Sequence, residues 1–341
     1  MSTINVETEN KSAQNDDNNN NSSSSVDKYA SLIEEVRAKF HKMVQNDPSQ
    51  FDEEEIQRVN EDDMFVKRFL LSRKRKVDAT VDMMANTLRW VKREGFTRIP
   101  LNAFPAEVFL IGALFDYEKD LQNNYTIYIR VCYILRCGYM VPHLIRWASK
   151  FFYELDQRVQ GSFYAVIIDF ADCGLRNCEY EFIYHAINTV RSYLPACVSY
   201  ILVVDLPKIL RYGWNVIKRI VPADQRKLLN FVTRNEIDQY IGKENLPDFL
   251  GGTCTRPHKG LPMVPDGCPT AVEYGIRCGI PLEECLKVAR VYEPIVKQYG
   301  IYDLGEDGDL VALVEKEIKS RKEGKAAGLN ILNPFNGRLL S

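Results

Sequence analysis

The 341-residue sequence holds only four histidines, widely spaced, and its nine cysteines form no C-x-x-C pair. Both absences argue against a zinc site, and an odd cysteine count spread over apolar segments fits reduced, mostly buried thiols. No apolar run approaches the roughly 18 residues that a membrane-spanning helix needs. The N-terminus, rich in Asn, Ser and Asp, lacks the apolar stretch of a secretory leader. The chain therefore reads as cytoplasmic, meeting membranes only at their surface. Lys and Arg number 44 against 46 Asp and Glu, a net charge of −2. Such a balance excludes a protein built to coat nucleic acid, and basic residues matter only where they cluster. Catalytic signatures are missing too: no G-x-S-x-G, no P-loop, no G-x-G-x-x-G, and no cysteine followed six residues later by arginine. Asp169 and Asp172 sit at a predicted strand end, where turn and cap duties are the commoner use of Asp. No catalytic residue and no metal is expected, and the chain does not read as an enzyme.

What is present is ordinary globular material, 45% hydrophobic and 26% charged, enough for one large domain or two smaller ones. Residues 1–26 are low-complexity and polar, and are expected to be disordered. Residues 27–100 read as an all-α piece: a helix from about Asp27 to Asn46, another from about Asp52 to Val59, then a hairpin. In that hairpin Met64, Phe65, Phe69 and Leu70 are to face Val81, Met84, Leu88, Trp90 and Val91, with Asp62 or Asp63 capping one helix and Asp78 the next. From residue 101 to 253 strands alternate with helices, with strands at 113–117, 126–133, within 162–170, at 198–204 and 229–232, and helices at about 141–159 and 179–194. That alternation predicts an α/β fold with a mixed or parallel sheet covered by helices. Residues 254–323 resume as helices near 270–278, 281–299 and 310–322, and 324–341 read as a loose tail.

The segment after Asp205-Leu206-Pro207 stands apart. On a helical period Ile209, Leu210, Gly213, Trp214, Val216, Ile217, Ile220 and Val221 form one wide apolar face. Lys208, Arg211, Lys218 and Arg219 occupy the other, with no acidic residue to offset them. The plainest reading is a surface helix packed on the sheet; the sharper one is a helix that lies on an anionic bilayer. The preceding strand alternates Ile201 and Val203 with Leu202 and Val204, and alternation alone does not say which pair lines a cavity. Arg73–Lys76, RKRK, follows a predicted helix end, where cations complement the dipole; it could also add to membrane attraction.

The order of motifs over about Asn60 to Thr253 resembles the CRAL-TRIO lipid-exchange family. Asp62, Asp63, Arg68, Phe69, Leu70, Leu88 and Trp90 are similar to the pattern of that family's N-terminal helical domain. Asp205 and Pro207 after a strand, Pro222 after the helix, and the NLPxxxGG signature at Asn245, Leu246, Pro247, Gly251 and Gly252 are similar to its core. In detail DDMFVKRFL, YIRV, VDLP, TRNEIDQYI and LPDFLGGT look closest to the CRAL-TRIO domain of motile-sperm-domain-containing proteins, without their immunoglobulin-like domain or membrane anchor.

The resemblance implies a CRAL-TRIO fold whose sheet floors a closed pocket and whose basic amphipathic helix is a movable gate. Ile201, Val203, Leu210, Gly213, Trp214 and Ile217 would then shape pocket and gate, Lys227 would meet a headgroup, and Lys208, Arg211, Lys218 and Arg219 would dock on an anionic membrane surface. The implied function is a cytoplasmic, peripheral membrane carrier of one phospholipid or other hydrophobic ligand, needing no cofactor besides that ligand. Phosphatidylinositol-binding members carry a Glu after the Pro that precedes the gate strand, and a Thr and a Lys after the gate helix. Here Ala196 follows Pro195, Asp224 holds the Thr position, and of that set Lys227 is kept, which disfavours phosphatidylinositol as the ligand. The alternative is an interaction module with a filled pocket that binds a protein partner at a membrane, the C-terminal helices included. Phe163, Tyr164, Tyr200 and Trp214 are the side chains that could fill the space.

Overall fold

The computed structural model describes residues 22–135, 137–159, 161–174, 177, 180–195, 198–210 and 226–300. The segment expected to form the gate, from Arg211 through Val221 and including Gly213, Trp214, Ile217, Lys218 and Arg219, lies outside the described residues. So do Pro222, Asp224, Ala196, the expected helix at 310–322 and both chain ends. The chain divides into two units: Met1–Thr97 with Arg191–Ala196, and Arg98–Val190 with Cys197–Ser341.

In the first unit α1 spans Ser22–Asn46, α2 Glu53–Glu61, α3 Asp63–Ser72 and α4 Val77–Glu94. Helix α1 starts five residues before the expected Asp27, because once a helix is nucleated each further residue adds a hydrogen bond at little cost. Its inward stripe of Ile33, Val36 and Phe40 packs with Phe65, Phe69 and Leu70 of α3 and Val81, Met84 and Leu88 of α4. The Asp62 carboxylate accepts the Phe65 N–H at 2.8 Å, the expected cap. Asp78 does not cap; it sits inside the first turn of α4, where the dipole favours a carboxylate, and pairs with Lys39 at 2.7 Å. Met64, expected in the core, is 40% exposed, since the inward stripe of α3 runs through its neighbours. Trp90 stacks on Tyr193 with ring centroids 4.5 Å apart, and the Thr87 hydroxyl donates to the Tyr193 carbonyl at 2.9 Å. Those two contacts explain why residues 191–196 fold with the helices.

The second unit contains α5 (Ala106–Ile111), β1 (Leu114–Tyr117), β2 (Tyr125–Arg130), α6 (Val141–Val159), β3 (Tyr164–Asp169), α7 (Tyr180–Tyr193, of which the last three residues are counted with the first unit), β4 (Val198–Val204), β5 (Leu229–Val232), α8 (Ala271–Arg277) and α9 (Leu282–Val296). The sheet order is β1-β2-β3-β4-β5, antiparallel at β1–β2 and parallel elsewhere. The predicted mixed α/β fold is therefore present. Strand β2 stops at Arg130 instead of running to Tyr133, and residues 131–133 form a tight 3₁₀ turn. The Asn177 amide holds that turn, donating to the carbonyls of Val131 and Ile134.

Both sheet faces are covered, as parallel strands require. One face carries Phe115, Tyr128, Ile167, Tyr200, Leu202 and Val204 against Ile237, Ile241, Leu246 and Leu250. Here the NLPxxxGG signature has a structural task. Leu246 and Leu250 plug the core, the Asn245 amide donates to the Lys119 carbonyl at 2.9 Å, and Gly252 packs against the backbone of Leu246. His258 sits among Phe115, Tyr117 and Phe249 on the same face, and burial pushes its imidazole down to about 4, so it is neutral. The other face carries Leu114, Ile127, Ile129, Val166, Ile168 and Ile201, against Phe151, Phe152, Leu155 and Val159 of α6.

Candidate functional site

On this second face, toward the β1 edge, the α/β unit contains a cavity of about 160 Å³. Leu114 and Ile129 of the sheet form its floor. Helix α5 contributes Val108 and Ile111, the turn after β2 contributes Tyr133, Ile134 and Leu135, and α7 contributes Phe182 and Ala186. Helix α6 supplies Leu144, Trp147, Ala148 and Phe152, one apolar stripe at helical spacing. The remaining wall is Ala271 of α8 with Val288, Ala289 and Tyr292 of α9. The glutamate on the lining, Glu107, accepts the Ala271 N–H with both carboxylate oxygens at 2.8 Å. Such a cavity is of the size that stays dry and takes a benzene-sized apolar group.

Of the residues singled out in the sequence, those that are described lie off this lining. Ile201 is half-buried on the cavity-bearing face and Val203, beside Ile168 in the β3–β4 register, is 4% exposed; neither is among the lining residues. Leu210, half-buried, closes a 3₁₀ turn of Lys208–Leu210 in which its N–H reaches the Pro207 carbonyl at 3.0 Å. Lys208 and Lys227 are exposed. The remaining gate and docking residues, Arg211, Gly213, Trp214, Ile217, Lys218 and Arg219, fall in the segment not described. Three aromatic side chains offered as fillers go elsewhere. Phe163 is 38% exposed, Tyr164 packs in the cluster under α6, and Tyr200 is on the opposite face, donating to Asp120 at 2.6 Å. The signal that would have found the cavity was the α6 stripe interrupted by Ala148, together with the alanines at 271 and 289. In sequence this pattern is the same as that of a solid core.

At the carboxyl ends of the strands lies a partly buried charge cluster. Asp205, held at φ 51°, accepts the Arg234 N–H at 3.0 Å and pairs with its guanidinium at 3.3 Å. Asp169, 1% exposed, stands between Arg130 at 3.6 Å and Arg234 at 3.9 Å, and accepts the Ala171 N–H at 3.0 Å. Burial raises the Asp169 carboxyl above its usual range, partly offset by that hydrogen bond and the two arginines. Arg130 also lies over the Phe249 ring at 3.9 Å. The Asp-x-Pro aspartate thus braces the end of β4 to the turn after β5, and Asp169 is structural.

The CRAL/TRIO domain model matches residues 139–252. A CRAL-TRIO domain-containing protein of Schizosaccharomyces pombe is 24% identical over 275 residues, 75% of this chain and 59% of that protein. Protein real-time of Drosophila melanogaster is 23% identical over 224 residues, 57% of this chain and 33% of that protein. The chain thus spans between a third and three fifths of these relatives' lengths. The crystal structure of Sfh5 superposes with a TM-score of 0.52 at 13% identity, covering 74% of this chain and 96% of that one. That likeness concerns the fold. The finer similarity to motile-sperm-domain-containing proteins is not carried by these matches. A mixed sheet with its cavity, the signature loop and the matching domain model converge: this chain carries a CRAL/TRIO domain at residues 139–252.

Proposed function

We propose that this protein binds one hydrophobic molecule, a phospholipid or another lipid, with an apolar section of it in the cavity of its α/β unit, and carries it between membranes without chemistry. The observation that carries the reading is an apolar-walled cavity of about 160 Å³ in a chain with a CRAL/TRIO domain. Apolar surface lining such a pocket is stabilised by an apolar occupant that displaces water from it. The interaction-module reading needs a filled pocket, and Phe163, Tyr164 and Tyr200 do not fill this one. No helix among the described residues is long and apolar enough to cross a membrane, so contact with a bilayer would be made from its surface. Purification from cells under native conditions, solvent extraction and mass spectrometry test the proposal. One lipid class near one molecule per protein is the expected result. A lipid-free protein that also takes up no lipid from mixed vesicles would move the assignment to the interaction module.

In the same reading the basic amphipathic segment docks the protein, with Lys208, Arg211, Lys218 and Arg219 toward anionic headgroups and its apolar residues in the interfacial boundary. Replacing these four by Glu is expected to weaken sedimentation with phosphatidylserine vesicles about tenfold or more, with the circular dichroism spectrum unchanged. Undiminished binding would remove the docking role.

A further inference from the structure

We infer that the α8–α9 hairpin is the ligand-selecting wall of the cavity and that what it receives is a bare hydrocarbon section: an acyl or isoprenoid stretch, or a ring without polar substituents. The inference rests on the carrier reading and deepens it. The hairpin lies outside the matched domain, residues 139–252, yet it closes the cavity. It presents Ala271, Val288, Ala289 and Tyr292, and all but Tyr292 are short, so the space exists because these positions carry small side chains.

Hydrogen bonds tie the hairpin to the rest of the wall. The Tyr292 hydroxyl donates to the Tyr133 carbonyl at 3.0 Å and accepts the Leu135 N–H at 3.3 Å, with the Cys137 thiol 3.3 Å away. Glu107 holds the Ala271 N–H at the start of α8, and the His143 ring lies 3.3 Å from the Tyr274 hydroxyl. The same bonds remove polar groups from the ligand's reach. The Cys137 thiol donates to the Leu135 carbonyl at 2.9 Å, and the Tyr133 hydroxyl accepts from Arg130 at 3.4 Å. The Trp147 indole N–H has no hydrogen-bond partner, and its nitrogen is enclosed by protein atoms. A ligand hydroxyl or charge entering here would give up water against an almost wholly apolar lining, a loss of about tenfold or more in affinity. Polar parts of a bound lipid must therefore lie beyond this section of the pocket. Ala289, 2% exposed, sets how deep the hydrocarbon can reach.

Benzene and phenol, titrated separately into the delipidated full chain and followed by isothermal calorimetry, probe this directly. Benzene is expected to bind saturably and phenol about tenfold or more weakly. Ala289→Phe is expected to abolish benzene binding. Because a buried substitution can unfold the chain, Val288→Phe at a half-buried site serves as the second blocking variant, and Val288→Ala as the enlarging one, which is expected to admit naphthalene. Equal affinities for benzene and phenol, or unchanged benzene binding in Val288→Phe with a wild-type melting temperature, would overturn the inference. The carrier reading fails separately: a protein that neither holds nor takes up lipid removes both, whereas a lipid-loaded protein whose benzene binding ignores the hairpin substitutions removes the hairpin's role alone.

Discussion

Replacing Gly252 by alanine is expected to destabilise the α/β unit by roughly 4 kcal/mol and lower its melting temperature by about 10 °C. The same change at Gly251 is expected to cost only about 1–2 kcal/mol. The neighbouring glycines differ in what limits them. Gly251 ends a 3₁₀ turn of Asp248–Leu250 at φ 85°, with open space where a Cβ would project, so alanine meets only the left-handed backbone penalty. At Gly252 a Cβ would fall inside the contact radius of the Leu246 carbonyl. That carbonyl is backbone and cannot rotate away, and Leu246, 1% exposed, is the plug beneath the sheet. Relief would have to move Leu246 and break the bonds of the Gly252 N–H to the Pro247 carbonyl and the Thr253 N–H to the Lys243 carbonyl. Thermal melting of the two variants, read by near-ultraviolet circular dichroism, checks the order. Equal losses at both positions would contradict the close-approach account.

Replacing Arg130 by methionine is expected to cost about 3–5 kcal/mol at neutral pH, more than the loss of a surface ion pair. Arg130 is 11% exposed at the side chain and is the nearer of the two cations beside buried Asp169. Without it the carboxylate keeps only Arg234 at 3.9 Å and the Ala171 N–H, too little to offset desolvation. The pH dependence has a defined sign. The folded Asp169 carboxyl already titrates above its usual range because of burial, and losing a cation raises it further. The folded state then binds the proton more readily than the unfolded chain, so the penalty is full above the folded-state value and shrinks as pH falls through it. Urea titrations at pH 7 and pH 5 should show the deficit of the Arg130 variant narrowing at the lower pH. Adding Asp169→Asn should recover most of it, since the uncompensated charge is then gone. A deficit that is flat with pH and unmoved by Asp169→Asn would assign the loss to Arg130 packing on Phe249 instead.

Much of the architecture follows from local chemistry. Strands β3 (YAVIID) and β4 (VSYILVV) are mostly Val, Ile, Leu and Tyr, as strands covered on both faces tend to be, and their alternation with helices implies the parallel sheet that forms. Asp62 as a cap and the Leu246 and Leu250 plugs are also local in origin. At two places where expectation and structure part, a neighbour distant in sequence intervenes. Asp78 meets Lys39 of another helix in place of capping its own. Strand β2 ends at Arg130, whose charge is drawn to Asp169, and the next residues turn onto Asn177.

By itself the sequence determined the α/β class, the helical front piece and the signature loop, because periodicity and turn chemistry are properties of short stretches, and its motif order carried the resemblance to a CRAL/TRIO domain. Only the tertiary structure decided where the described cavity lies: beside Leu114 and Ile129, closed by α9, with Ile201 on the same sheet face but off its lining. The apolar stripes of α6 and α9 read identically whether they meet one another or leave a space between them. A cavity is what remains when side chains from five separate stretches fall short of contact, and that shortfall belongs to no single stretch of chain.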